Sequence, residues 1–312
     1  MTSLFTLSVD MLGSETKLND ILKGLNQSLL RNLNFKFQLY GPEQAIKKKI
    51  EKYKRLIKVT EIIDCHSYIT MEDKPSDILK SKQNSSMYLA IKSVTENLSD
   101  AVLSFGNTGA LMSLSLLNIK TLKGIKRPAI ASIWPNMKGE SVVLDLGANT
   151  KLDSRYLIDN SILGASLASI LFKIDNPSIG LLNVGKEDNK GKDEIKFASD
   201  QLRELSHNFS VNYQGYVEGN DISSGRTNVV VTDGFTGNIS LKTAEGTAKF
   251  FQSHLEDAFK SSILSKMAYF LSSLAMKSVR DRLGPRVHNC GILMGLNSLA
   301  VKCHGHSEFR GV

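Results

Sequence analysis

Cysteine is scarce in this sequence: Cys65, Cys290 and Cys303 are the three in 312 residues, with no C-x-x-C pair. A sparse, odd set fits a reducing cytoplasm better than a secreted disulfide framework. No run of eighteen or more uncharged apolar residues occurs, so no segment reads as a membrane-spanning helix. The opening, MTSLFTLSVDMLGSE, has no basic region, and its apolar stretch is short and broken; it reads as a first strand rather than a signal peptide. Aromatics are 7%, and no run interleaves them with Arg or Lys in the manner of an RNA-binding platform, which argues against nucleic acid as the partner of a chain carrying +8.

Several motifs are also missing. G-x-G-x-x-G does not occur, so the usual dinucleotide fingerprint is lacking. GKEDNKGKD (185–193) resembles a P-loop, but five residues separate Gly185 from Gly191, and Asp193 stands where Ser or Thr is required. GASLA (164–168) lacks the closing glycine of a nucleophile elbow and falls inside a helical pattern, which makes Ser166 a packing residue. CHGHSE (303–308) gathers Cys303, His304 and His306, with only His288 and Cys290 comparable nearby, too few for a metal site. No metal is expected.

What is present is a 41% hydrophobic chain with its 22% charged residues well mixed, enough to bury a large core. Strand-like β-branched runs recur at Leu4–Val9, Lys36–Tyr40, Lys58–Ile63, Ala101–Ser104, Ala129–Trp134, Ser141–Leu146, Ser178–Asn183, Asn212–Val217 and Asn228–Thr232. Helical patterns fall at Glu43–Tyr53, Ser86–Glu96, Thr108–Leu117, Arg155–Phe172 and Glu194–Leu205. This alternation predicts an α/β fold, a mainly parallel sheet covered on both faces. No Pro/Ser-rich linker or fixed-period repeat divides the chain, so a single domain over 1–312 is expected.

From Lys242 to Leu283 the only strong breaker is Gly246, which predicts a protruding pair of long helices bending near Lys260–Ser262. Ile263, Met267, Phe270, Leu271 and Leu274 share one stripe of the second helix. That stripe suits a core or dimer interface. With Lys266, Lys277, Arg280 and Arg282 beside it, it also suits an interfacial helix touching lipid.

Gly- and Ser-rich junctions follow the strands, where open α/β sheets bind ligands. KSKQNSSM places Lys82, Ser85 and Ser86 at a helix start, and SFGNTGAL places Asn107, Thr108 and Gly109 at another. VVLDLGAN offers Asn149, and GLLNVGKEDNKG offers Asn183, Gly185 and Lys190. VVVTDGFTGN offers Gly234, Thr236, Gly237 and Asn238. Together these amides, hydroxyls and cations suit an oxyanion, and phosphate is the reading they favour. The two Gly-x-Thr-Gly turns, 106–109 and 234–237, are expected to converge on one anionic site.

MEDKPSDILKSKQNSSM, LSFGNTGALM, IKRPAIA, VVLDLGAN, GLLNVGKEDNKG, YVEGNDI, VVTDGFTGNISLKTAEG and VKCHGHS follow one another from about Val9 to Ser307. In that order they resemble the phosphate acyltransferase (PlsX) family of bacterial phospholipid synthesis. The resemblance implies transfer of a fatty acyl group from acyl carrier protein to inorganic phosphate, giving an acyl phosphate for glycerol-3-phosphate acylation by a membrane enzyme. It implies a Rossmann-like, three-layer α/β/α fold, a homodimer, and loose attachment to the inner face of the cytoplasmic membrane, with no metal or nucleotide cofactor. Lys190 and Asn238 are then the expected catalytic residues, the lysine for phosphate or the developing charge and the amide as a donor to the oxyanion or phosphate. The basic strip Lys277, Arg280, Arg282 and Arg286 would steer an acidic carrier protein or anionic lipid.

The sequence also departs from that family. Asp10-Met11-Leu12-Gly13-Ser14-Glu15 stands for Asp-Ala-Met-Gly-Gly-Asp, and Asn289-Cys290-Gly291 for Gly-Gly-Ala before a Leu-rich strand. Relatives of that family continue past Val312 into a terminal helix, whose loss would expose core surface or weaken a dimer. The alternatives are a phosphotransacetylase-like enzyme using acyl-CoA, and an impaired scaffold that binds carrier protein or membrane.

Overall fold

The computed structural model describes residues 4–31, 34–73, 78, 81–208, 211–272 and 290–303. The described elements, in order, are β1 (Phe5–Asp10), α1 (Leu18–Ser28), β2 (Phe35–Gly41), α2 (Glu43–Ile50), α3 (Lys54–Ile57), β3 (Thr60–Asp64), α4 (Ser86–Thr95), β4 (Ala101–Ser104), α5 (Thr108–Asn118), β5 (Ala129–Asn136) and β6 (Gly139–Leu144). They continue as α6 (Ser154–Phe172), β7 (Ile179–Leu182), α7 (Asp193–Asn208), β8 (Tyr213–Val217), α8 (Gly219–Ser224), β9 (Val229–Val231), α9 (Gly234–Lys260), β10 (Cys290–Met294) and β11 (Leu299–Cys303). All nine expected strands form. The helix expected over Glu43–Tyr53 ends at Ile50, and a separate short helix, α3, follows it.

Two compact units emerge, 1–132 with 289–312, and 133–288. The chain passes between them within β5, so no linker composition marks the crossing. In the first unit the strand order is β3-β2-β1-β4-β11-β10-β5. Strands β3, β2, β1, β4 and β11 run parallel, while β10 is antiparallel to both β11 and the start of β5. Side chains alternate across the sheet as the period of two requires. Val9, Phe37, Leu39 and Leu103 pack with Ile21, Leu22 and Ile46 of α1 and α2 on one face. Tyr40 and Val102 pack with Met87, Ile91 and Leu111 of α4 and α5 on the other.

The second unit contains four parallel strands in the order β6-β9-β7-β8. Buried on both faces, β9 is an unbroken Val229-Val230-Val231 rather than an alternating strand. Helix α6 crosses the sheet at Gly164, where a Cβ would lie 2.6 Å from Val229 Cγ1 and 2.8 Å from Leu144 Cδ2.

Helix α9 starts at Gly234 rather than Lys242, because Asp233 caps it: Oδ1 accepts from Phe235 N and Thr236 N, each at 3.0 Å. The helix stops at Lys260, and helical structure resumes over 263–272. The expected continuation to Leu283 lies outside the described residues.

Cys290 and Cys303 are direct partners in the β10–β11 register and form a disulfide, with Cα atoms 4.2 Å apart. Opposed residues on antiparallel strands are close enough for this, whatever their spacing in the chain. Cys65 remains a free, buried thiol, pushed up to about 12 chiefly by burial.

Gly164→Val should cost on the order of 1–3 kcal/mol through overpacking. A lowered urea midpoint with an unchanged slope would register this; an unchanged midpoint would show that α6 can lift off the sheet freely.

Candidate functional site

Loops at the carboxyl ends of parallel strands form a cluster in each unit. In the second unit three such loops follow the neighbouring strands β6, β9 and β7: residues 145–149, 232–238 and 183–192. The first is organised by Asp145, which is fully buried. Its Oδ1 accepts from Gly147 N at 3.0 Å and Ala148 N at 2.8 Å, and its Oδ2 from Asn149 N at 2.7 Å and the Tyr156 hydroxyl at 2.8 Å. The Tyr156 oxygen accepts in turn from Asn149 Nδ2 at 2.6 Å. Burial first, then the Asp145 carboxylate, hold the Tyr156 phenol well above its ordinary pKa, so it remains a donor.

The start of α9 closes on this loop. Gly234 N donates to Asn149 O at 2.8 Å. A Cβ on Gly234 would lie 2.7 Å from Asn149 O, and one on Gly237 would collide with the Asp145 carbonyl oxygen. Both glycines therefore serve close approach of backbone to backbone. Thr236 Oγ1 donates to Asp233 Oδ2 at 2.7 Å, so hydroxyl and cap hold each other. Asn238, one turn into the helix, is exposed and lies against Gly147, where φ is +132 and a Cβ would sit 2.8 Å from Nδ2.

The third loop is closed by Asn183, whose Nδ2 donates to Gly185 O at 3.1 Å and Lys190 O at 3.2 Å. Lys190 is exposed, with its side chain along Gly185. Asn149 and Asn183 are thus buried builders of loops, while Lys190 and Asn238 present functional groups at the surface.

The first unit repeats the pattern around Asp10, at the end of β1. Ser85 caps α4, with Oγ accepting from Tyr88 N at 3.3 Å and donating to Lys82 O at 2.7 Å. Lys82 Nζ donates to Tyr68 O at 3.2 Å and lies 3.8 Å from Asp73 Oδ2. The Ser86 hydroxyl donates to Asp10 Oδ1 at 2.6 Å. Asn107 caps α5 through Oδ1, which accepts from Ala110 N at 3.0 Å, while Nδ2 donates to the carbonyls of Thr70 and Met71. Thr108 is half-buried and Gly109 exposed.

The two Gly-x-Thr-Gly turns belong to different units. Among the described residues no three His, Cys, Asp or Glu side chains gather as a metal set. Met267, Phe270 and Leu271 are exposed, the last two at 79% and 81%, which corrects the core reading of their helix. Leu274, Lys277, Arg280 and Arg282 lie outside the described residues.

A family model described as "Fatty acid synthesis protein" matches residues 5–312. Phosphate acyltransferase from Xanthobacter autotrophicus is 41% identical over 312 residues, covering all of this chain and 87% of its own length. The enzyme of the same name from Azorhizobium caulinodans is 42% identical over 312 residues, covering all of this chain and 88% of its own. The chain belongs to the phosphate acyltransferase family. A phosphotransacetylase structure from Streptococcus pyogenes shares the fold at a TM-score of 0.65 and 14% identity, covering 98% of this chain and 90% of that one. A 4-hydroxythreonine-4-phosphate dehydrogenase from Klebsiella pneumoniae follows at 0.55 and 12%, covering 99% and 91%. At such identities these two speak to fold alone.

In this phosphate acyltransferase chain, sequence reasoning gave no role to Asp10, Ser104, Asp145 or Tyr156. The signal for both acids was their position: each closes or directly follows an apolar strand and precedes a glycine turn. Burial raises Asp10 from 3.8 to about 6, against the lowering effect of Ser86, Ser104, Leu12 N–H and Lys302. The folded state holds this proton more tightly than the unfolded chain. Its stabilising contribution is therefore complete below pH 3.8 and lost as pH rises through about 6. The loss is on the order of 3 kcal/mol. Asp10→Asn should flatten the fall in urea midpoint between about pH 4 and 7; an unaltered pH profile would contradict the shift.

Proposed function

We propose that this chain transfers a fatty acyl group from acyl carrier protein to inorganic phosphate, releasing acyl phosphate for phospholipid synthesis. Its membership of the phosphate acyltransferases, whose named relatives match it end to end, carries the reading. The chemistry suits the residues. Phosphate near neutral pH is already an oxyanion nucleophile, so no activated serine or cysteine is required. A phosphate oxygen forms a bond to the thioester carbonyl carbon, the tetrahedral oxyanion collapses, and the C–S bond breaks. The departing thiolate takes its proton from water.

In this proposal Lys190 holds the phosphate charge, and the Asn238 amide donates to the developing oxyanion. Both are exposed, Lys190 on the loop after β7 and Asn238 near the start of α9, which follows the adjacent strand β9. The 145–149 loop sets where Asn238 rests, and Asn183 sets where Lys190 rests. Lys82 with the 106–109 turn provides the phosphate-binding cradle of the first unit, while the hydroxyls of Ser85 and Ser86, expected to bind there, are buried and spent on Lys82 O and Asp10. An acyl-CoA donor is the alternative; the shared fold of the phosphotransacetylase structure supports it only weakly.

The reading extends to a homodimer and to peripheral attachment at the inner membrane face. Among the described residues no helix is long and apolar enough to cross a membrane. Ile263, Leu264, Met267, Phe270 and Leu271 present an exposed apolar surface that supports contact with lipid.

Purified protein incubated with long-chain acyl carrier protein and phosphate should form acyl phosphate, trapped as hydroxamate by hydroxylamine. Well-folded protein giving none would sink the assignment. Asn238→Ala should lower kcat by on the order of a hundredfold, and Lys190→Ala should raise KM for phosphate. Near-normal kinetics in both would remove them from the site. Glutamate at Phe270 and Leu271 should reduce co-sedimentation with anionic liposomes; undiminished pelleting would point to a protein partner for this surface instead.

A further inference from the structure

Asp10 takes no part in the reaction as derived, yet it lies 1% exposed where three elements of the first unit meet. Its Oδ1 accepts from Ser86 Oγ at 2.6 Å and its Oδ2 from Ser104 Oγ at 2.7 Å. Ser86 is the first residue of α4 and Ser104 the last of β4. Ser104 Oγ itself accepts from Gly106 N at 3.1 Å. Through one hydroxyl, the carboxylate therefore reaches the peptide that opens the 106–109 turn. A Cβ on Gly106 would lie 2.9 Å from Met87 Cε and 3.4 Å from Asp10 Oδ2, so the turn is packed directly against this clamp. Lys302 on β11, opposite Ser104 in register, faces the same carboxylate.

We propose that Asp10 is a positioning residue for phosphate, acting through Ser104 and Ser86 to lock the 106–109 turn against the start of α4. It touches no substrate. Its two hydroxyl donors come from different elements, so the clamp fixes the distance between two helix starts before any ligand arrives. Ordering a turn in advance lowers the entropy lost on binding, and losing that order appears first in affinity. This inference rests on the reading that the 106–109 turn contacts phosphate.

The test uses the full chain with inorganic phosphate as the probe, by calorimetric titration, alongside acyl phosphate formation and thermal melting. Asp10→Ala and Ser104→Ala should each weaken phosphate binding at least about tenfold, raising KM more than they lower kcat. Asp10→Asn should recover binding to within about threefold, because its amide offers one acceptor to one serine hydroxyl and one donor to the other. A folded Ser104→Ala that binds phosphate as wild type does would overturn the inference, as would an Asn variant as weak as Ala. Ser104→Ala also covers the case in which Asp10→Ala does not fold. Wild type that binds phosphate but never yields hydroxamate would sink the acyl-transfer reading alone, since the titration still reports on Asp10.

Discussion

A carboxylate buried at the end of a parallel strand must find hydrogen-bond donors among whatever surrounds it, since water cannot reach it. Asp145 meets that requirement by drawing in three successive backbone N–H groups and a tyrosine hydroxyl. The loop that results is a consequence of satisfying one charge. Its shape then decides where α9 begins, because Gly234 and Gly237 must come within backbone contact of it. Asn238 takes its place from that contact. Asp10 meets the same requirement in the first unit with two serine hydroxyls, and thereby ties a helix start to a strand end.

This arrangement divides labour in a way that residue type alone does not reveal. Asn149 and Asn183 are as polar as Asn238, and Ser86 as polar as any hydroxyl at a helix start. Yet Asn149, Asn183 and Ser86 are buried and committed to loop geometry, while Asn238 and Lys190 reach the surface. A polar side chain in a glycine-rich junction can hold the junction or hold the ligand. Burial chooses between the two, because a buried amide left without partners costs about 1–3 kcal/mol.

Much of the fold was legible because the hydrophobic period changes visibly between strand and helix. Runs such as Val229–Val231 and Ala101–Ser104 could scarcely be anything but buried strands. Less legible were β10 and β11, whose place beside β4 and β5 arises from contacts across more than a hundred and fifty residues of chain. Nor was the division into two units legible, since it falls inside a strand where no composition changes. The Cys290–Cys303 bridge was hidden for a similar reason: only the antiparallel register sets the two thiols opposite one another.

The sequence by itself determined the α/β class, nine of the eleven described strands and most described helices, the family, and the loops in which phosphate chemistry is to be sought. Each rests on local pattern or on ordered motifs, which need no knowledge of distant contacts. The tertiary structure alone decided which polar groups in those loops are structural and which are presented. It made Asp10 and Asp145 the organisers of their units, and it left Phe270 and Leu271 exposed rather than in the core. Burial and hydrogen-bond satisfaction are properties of the whole surround of a side chain, and that surround exists only once the chain has folded.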